Sequence, residues 1–378
     1  MEEIYLDNSA TTRVCESAAE NALYAMRECY GNPSSLYSLG LNAERLIERT
    51  RRAVAQKLHC RPEEIVFTGC GTESNNTAVF GAARSLQKRG RRIVTTAVEH
   101  PSVARPMDQL EKEGFEVIRL PVDREGKVPP EEIFKAVTKD TILVSMMLVN
   151  NETGAIQPVS TAAEAIKKAG APALLHCDAV QAFGKLPIDL KKLGVDLLSA
   201  SGHKLHAPKG VGILYKSEKA HIQPLLLGGG QEKGFRSGTE SVPLIAALGG
   251  AISELPEESV GLQNMQKLWN YAKDALLKLP GVEINSPDDC LPYLINISLT
   301  GYRSETLLHF LEADGIFVSS GSACSKGKLS GVLSAMGLPA ARVDSALRIS
   351  FSRYNKTEDI DKLCESLERA TKRLKKRG

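Results

Sequence analysis

The sequence predicts an α/β fold, with a large domain on a mostly parallel central sheet and a smaller C-terminal α+β domain. Three observations carry this expectation. Strand-like apolar runs alternate with amphipathic stretches between residues 64 and 215, the pattern of a parallel sheet covered by helices on both faces. Polar, glycine-containing segments follow those runs, where open parallel sheets bind their ligands. After about residue 240 the alternation gives way to longer helical periodicity.

The expected strands are 64–68, 92–96, 116–120, 141–148, 173–177, 197–200 and 212–215, with helices at 75–89, 104–113, 130–136 and 161–169. A helical stretch follows at 243–255 and resumes at 262–279. Beyond it lie a candidate strand pair (293–299 with 317–319) and helices at 304–313 and 356–374. With 378 residues the chain is long for one domain. The division expected is a large domain over residues 13–255 and a small one formed by 1–12 and 256–378.

Composition excludes several classes of function. A net charge of +3, with 25% charged residues, gives no reason to expect direct nucleic-acid binding, and the basic tail reads as a solvated helix end. No apolar run approaches the roughly 20 residues that span a bilayer, and the acidic start at Glu2 and Glu3 does not resemble a signal peptide. The eight cysteines are scattered, without metal-ligand spacing, so a reducing cytoplasmic setting is expected, without membrane or metal.

Chemistry-bearing residues gather at the predicted strand ends. The run 64–68 leads into Gly69-Cys70-Gly71-Thr72-Glu73-Ser74-Asn75, which suits a phosphate cradle before a helix and equally a plain tight turn. His100 follows the run 92–96, where an imidazole can stack on an aromatic cofactor, move a proton, or simply sit in the core. Asn151 follows the run 141–148. Asp178 and Gln181 follow 173–177, and an aspartate there can pair with a protonated pyridine nitrogen. Ser201-Gly202-His203-Lys204 comes next, with a lysine that is either solvated or able to form a Schiff base.

The order of these segments resembles the cysteine desulfurases of the NifS/IscS type, within the class V aminotransferase family of fold-type I pyridoxal-phosphate (PLP) enzymes. Matching stretches run from Tyr5-Leu6-Asp7-Asn8-Ser9-Ala10-Thr11-Thr12 through Gly31-Asn32-Pro33-Ser34-Ser35 and Arg236-Ser237-Gly238-Thr239-Glu240 to Leu347-Arg348-Ile349-Ser350. The resemblance implies pyridoxal 5'-phosphate as cofactor. Lys204 is then the lysine that holds it and moves the substrate's α-proton, Asp178 the partner of the ring nitrogen and His100 the residue stacked on the ring. Gln181 and Asn151 contact its hydroxyl, and Thr72, Ser201 and His203 form the phosphate cup. Thr239 reaches the site of a neighbouring subunit in a homodimer, and Asn32 and Arg348 hold the substrate carboxylate.

Cys324 lies in the small, polar stretch Ser319-Ser320-Gly321-Ser322-Ala323-Cys324-Ser325-Lys326. Such a stretch reads as a loop, and the nearby lysines favour its thiolate. The resemblance implies that Cys324 takes sulfur from L-cysteine as a persulfide, leaving alanine. The sulfur then passes to an acceptor protein, an iron–sulfur scaffold or a tRNA-thiolating enzyme. Two departures from the pattern are Cys70 in the phosphate loop and a slightly shorter segment after Cys324. Competing expectations are a selenocysteine lyase, a transaminase of the same family, and a non-catalytic sulfur-transfer scaffold.

Overall fold

The computed structural model describes residues 3–320 and 329–376. A short strand β1 (Ile4–Tyr5) opens the chain. It is followed by β2 (Ile65–Thr68), β3 (Arg92–Thr96), β4 (Glu116–Leu120), β5 (Thr141–Met147), β6 (Leu174–Asp178), β7 (Leu197–Ser201) and β8 (Gly212–Lys216). The last seven form one sheet in the order β2-β8-β7-β6-β5-β3-β4. From β4 to β7 all neighbours are parallel, whereas β8 runs antiparallel to both β7 and β2. The connection between β7 and β8 is only residues 202–211, too short for the crossover that a parallel neighbour needs.

Successive residues of these strands point to opposite faces, and both faces are buried. Val66, Ile93, Leu143, Leu197 and Leu214 pack with Ala78, Val79 and Ala82 of the helix Gly71–Leu86 and Val103 and Met107 of Pro101–Lys112. Phe67, Val94, Val144, Leu198 and Ile213 face the other way, toward helices Glu16–Arg27, Ser38–Leu58, Val159–Ala169 and Val242–Ser253. The expected strands agree with the observed ones to within one residue at each end. The two N-terminal helices are additional to the expectation. They dock on Val242–Ser253 partly through Ala18, Ala22, Ala25 and Ala43, small side chains that mark a helical face only weakly.

Two expectations are corrected. The helix expected at 75–89 starts at Gly71, so Thr72, Glu73 and Ser74 belong to its first turn rather than to a loop. The strand pair expected between 293–299 and 317–319 does not form. Beyond β8 come β9 (Val282–Ile284), β10 (Leu294–Leu299), β11 (Ile316–Phe317) and β12 (Ala346–Ser350), and β10 pairs antiparallel with β12 and β9. β11 instead joins β1 in parallel. Ile295, Ile297, Leu347 and Ile349 are buried in one core, a gain that a two-residue β11 cannot match.

That core also holds Ile4, Leu6, Leu268, Trp269, Leu311 and Leu363, apart from the cores that cover the large sheet. The segment between β1 and the first long helix therefore links two bodies of packing.

Gly212 opens β8 against the backbone that leads to the helix at Gly71. A Cβ there would lie 2.4 Å from Thr68 Oγ1 and 2.5 Å from the carbonyl carbon of Cys70. Gly212→Ala is expected to destabilise the chain by about 1–3 kcal/mol, read as a lower urea midpoint.

Candidate active site

The C-terminal ends of β2, β3, β5, β6 and β7 lie on one edge of the sheet, and a cavity of about 290 Å³ opens there. Thr72, His100, Asn151, Asp178, Gln181, His203, Lys204 and Arg348 all line it. Ser201 is buried beside the start of the helix at Gly71, where an added Cβ on the glycine would meet Ser201 Cβ at 3.2 Å. Asn32 is not brought to this cavity. It is exposed, and its Oδ1 accepts a hydrogen bond from the Ser34 N–H in a local turn. Thr239 is also exposed and lines a separate cavity of about 150 Å³ with Thr68, Gly69 and Arg236. Cys324 lies outside the described residues.

Asp178 ends β6 as a buried carboxylate. Its Oδ1 accepts from the Val180 N–H (3.0 Å) and its Oδ2 from Asn75 Nδ2 (2.7 Å). The same Asn75 amide donates to Ser102 Oγ (2.8 Å), which lies 2.7 Å from His100 Nδ1. The Ser102 N–H also donates to His100 Nδ1, because His100 caps the helix Pro101–Lys112. This pattern leaves the imidazole proton on Nε2, and burial holds the ring below its ordinary basicity.

Lys204 follows β7 on a short 3₁₀ turn, and its Nζ donates to the carbonyls of Ser9 and Ala10, the latter at 2.8 Å. Burial, and then the cations Arg348 and Lys185, push its amine down to about 7, against the pull of Asp7 and Asp178. His203 is driven down to about 4, chiefly by burial. Arg348 is buried on β12, where Nη1 donates to the Asn151 carbonyl (3.0 Å) and Nη2 to Asp7 (2.8 Å).

Some hydrogen-bonding capacity remains open. Gln181 donates to the Ser9 carbonyl (3.1 Å), but its Oε1, the Ser201 hydroxyl and Arg348 Nε are buried without partners. Buried polar atoms of this kind call for a ligand or water. Ser201 beside a helix N-terminus suits an anion such as a phosphate, and a lysine held as a weak base suits a carbonyl compound. The residues present therefore fit pyridoxal phosphate.

Four contributors escaped the sequence reading. Asp7, Ser9 and Ala10 stand out in the sequence only within a matching stretch, and Asn75 only within another, Thr72-Glu73-Ser74-Asn75-Asn76, and as the start of the expected helix. Their partners lie far along the chain, so no local spacing marks them. Glu99 is a fifth residue of interest. Buried, it accepts from Thr96 Oγ1 and the Met147 N–H through Oε1, while Oε2 has no partner.

Burial, followed by repulsion from Asp178, pushes the Glu99 carboxyl from 4.5 up to about 8. The folded chain thus keeps a proton that the unfolded chain releases, and stability falls as pH rises from about 4.5 to about 8. Urea midpoints at pH 5 and pH 8 should show a smaller drop for Glu99→Gln than for the unmodified chain.

The chain is similar to known proteins over nearly its whole length. The model of the family described as Aminotransferase class-V matches residues 4–363. "Cysteine desulfurase IscS" of Methanosarcina thermophila is 42% identical over 377 residues, covering 98% of this chain and 93% of the relative. "Cysteine desulfurase IscS" of Clostridium botulinum (strain Hall) is 41% identical, covering 98% and 94%. Among solved structures, "NIFS-LIKE PROTEIN" superposes with a TM-score of 0.93 at 40% identity, covering 99% of this chain and 100% of its own. "SspA in complex with cysteine" does so with a TM-score of 0.82 at 31% identity, covering 93% and 100%. A lysine and an aspartate at one edge of the parallel sheet, an arginine of β12 lining the same cavity, and matches that run nearly end to end place the chain in the class-V aminotransferase family.

Proposed function

We propose that the chain is a pyridoxal-phosphate-dependent cysteine desulfurase, which moves the sulfur of L-cysteine onto Cys324 and leaves L-alanine. The observation that carries this reading is the meeting of Lys204, Asp178, His100 and Arg348 in one cavity, in a chain whose relatives bear that name.

The residues that would hold the cofactor are Thr72, Ser201 and His203 at its phosphate, Asp178 at its ring nitrogen, and Gln181 and Asn151 at its hydroxyl. When bound, pyridoxal phosphate withdraws electrons from the substrate's α-carbon. Asp178 keeps a proton on the ring nitrogen by supplying a negative charge beside it. His100, neutral near pH 7, offers a flat, uncharged wall. Arg348 is the substrate-carboxylate residue in this reading, since its planar fork suits two oxygens and its Nε is open. Lys204 takes the α-proton, a task suited to an amine that titrates near neutrality.

The Cys324 thiolate then attacks the substrate sulfur. The carbon–sulfur bond breaks, a sulfur–sulfur bond forms, and the products balance as alanine and a Cys324 persulfide. The described chain on the N-terminal side of Cys324 supports this role. Ser319, five positions before Cys324, exchanges backbone hydrogen bonds with Arg348 (3.1 and 2.7 Å), which lines the cavity. From Cys324 the sulfur passes to an acceptor protein.

The reading also includes a homodimer in which Thr239 completes the neighbouring site. A run of large apolar side chains supports it: Leu23, Tyr24, Met26, Tyr30, Leu36 and Tyr37 are all exposed, Leu36 fully so.

The test is an absorption spectrum of the purified protein, followed by L-cysteine with alanine and sulfide both assayed under reducing conditions. A visible cofactor band with equal alanine and sulfide is expected. Cys324→Ser should keep the band and lose sulfide by about a hundredfold or more, and Lys204→Ala should lose the covalently attached cofactor. Unchanged sulfide in Cys324→Ser would sink the assignment. For the dimer, Leu36→Asp should shift the mass measured by light scattering toward 40.9 kDa and weaken cofactor retention.

A further inference from the structure

Lys204 also lines a second, smaller cavity of about 30 Å³, and Lys185 lines it too, with Tyr293 and Arg353. Lys185 is only 7% exposed and opens onto this cavity, and no carboxylate of the described residues pairs with its ammonium. Its contact is the ring of Tyr293, with Nζ 5.5 Å from the centroid. The backbone brings it here by design of sequence. Gly184 adopts φ +73°, and a Cβ on it would lie 2.8 Å from Leu205 Cδ2, so the turn before Lys185 rests on the residue that follows Lys204.

The charges around Lys204 come from several elements. Asp7 of the N-terminal segment and Asp178 of β6 attract a proton to it, while Arg348 of β12 and Lys185 repel one. His100 and His203 also face it, and His206 and Arg353 flank Lys185. The three histidines are held neutral by burial near pH 7. Arg348 is paired with Asp7 at 2.8 Å and Arg353 with Glu254 at 2.6 Å. Lys185 alone among these described cations has no carboxylate to cancel its field. An aromatic face stabilises an ammonium without adding net charge, so the field still reaches Lys204.

We propose that Lys185 is a positioning residue whose unneutralised ammonium, beside Lys204 in one small cavity, repels a proton from Lys204 and holds it as the free amine that reacts. This rests on the reading of Lys204 as the cofactor-holding lysine, but it concerns the bare chain. Burial pushes both amines down, Lys204 to about 7 and Lys185 to about 8, so each is costly to charge here.

The experiment uses the full chain stripped of cofactor. Lys204 is acetylated competitively with acetic anhydride across a pH series, and its labelling is measured by mass spectrometry. The unmodified chain should show a midpoint near 7. Lys185→Met and Lys185→Gln should raise it by about one unit, which slows labelling at pH 7 about fivefold, and Lys185→Arg should leave it in place. A packing role predicts no shift. Added apolar surroundings in Lys185→Met alone would lower the midpoint. An unmoved or lowered midpoint in both variants overturns the proposal. Replacing an unpaired buried charge is neutral or stabilising, so both should fold, and collapse of both would also overturn it. Absence of alanine and sulfide from the unmodified holoprotein would instead defeat the desulfurase reading and leave this titration standing.

Discussion

A buried carboxylate holds its place only if other elements supply donors, and much of this site is organised around how Asp178 obtains them. One donor is the N–H of Val180, two residues on. The other is the amide of Asn75 in a helix that begins after β2, and that amide also reaches Ser102 after β3. Ser102 in turn fixes His100. Three strand ends are thereby set relative to one another by side chains whose geometry tolerates little error. Aspartate and imidazole face one cavity because of this chain of bonds.

The N-terminal segment does comparable work between the two bodies of packing. Leu6 is buried in the smaller core, Asn8 donates to the Ser350 carbonyl at 2.9 Å, and the Ser9 N–H donates to the Ser350 hydroxyl at 2.8 Å. A residue or two further on, the carbonyls of Ser9 and Ala10 receive Lys204, and Thr12 donates to the His203 carbonyl at 2.9 Å. Asp7 lies between and binds Arg348. Displacement of this segment would disturb the lysine and the arginine together.

The electrostatic arrangement favours a neutral amine over an ammonium. Lys204 is desolvated, its hydrogen bonds go to carbonyl oxygens, and the nearby carboxylates are shared with other donors. The apolar walls of the cavity, among them Met147 and Val149, limit screening by water. An amine kept near its titration point can act both as nucleophile and as base, which is the pair of tasks assigned to Lys204 above.

The strands of the large sheet were legible in the sequence because burial on both faces writes continuous apolar runs, and the polar residues that follow them marked Asp178, His100 and Lys204. Arg348 was legible only through the matching stretch, since its strand read as a motif. Other features belong to the tertiary structure alone. Ile316 and Phe317 choose β1 as partner, Asn75 at the start of the expected helix becomes the donor for Asp178, and Asn32 stays outside the cavity. Lys185 looks like any surface lysine until the turn at Gly184 carries it beside Lys204. The physical reason is common to all of these. Periodicity and turn chemistry are local and can be read along the chain, whereas a strand's partner, a carboxylate's donor or a lysine's unneutralised charge depends on residues that only folding brings together.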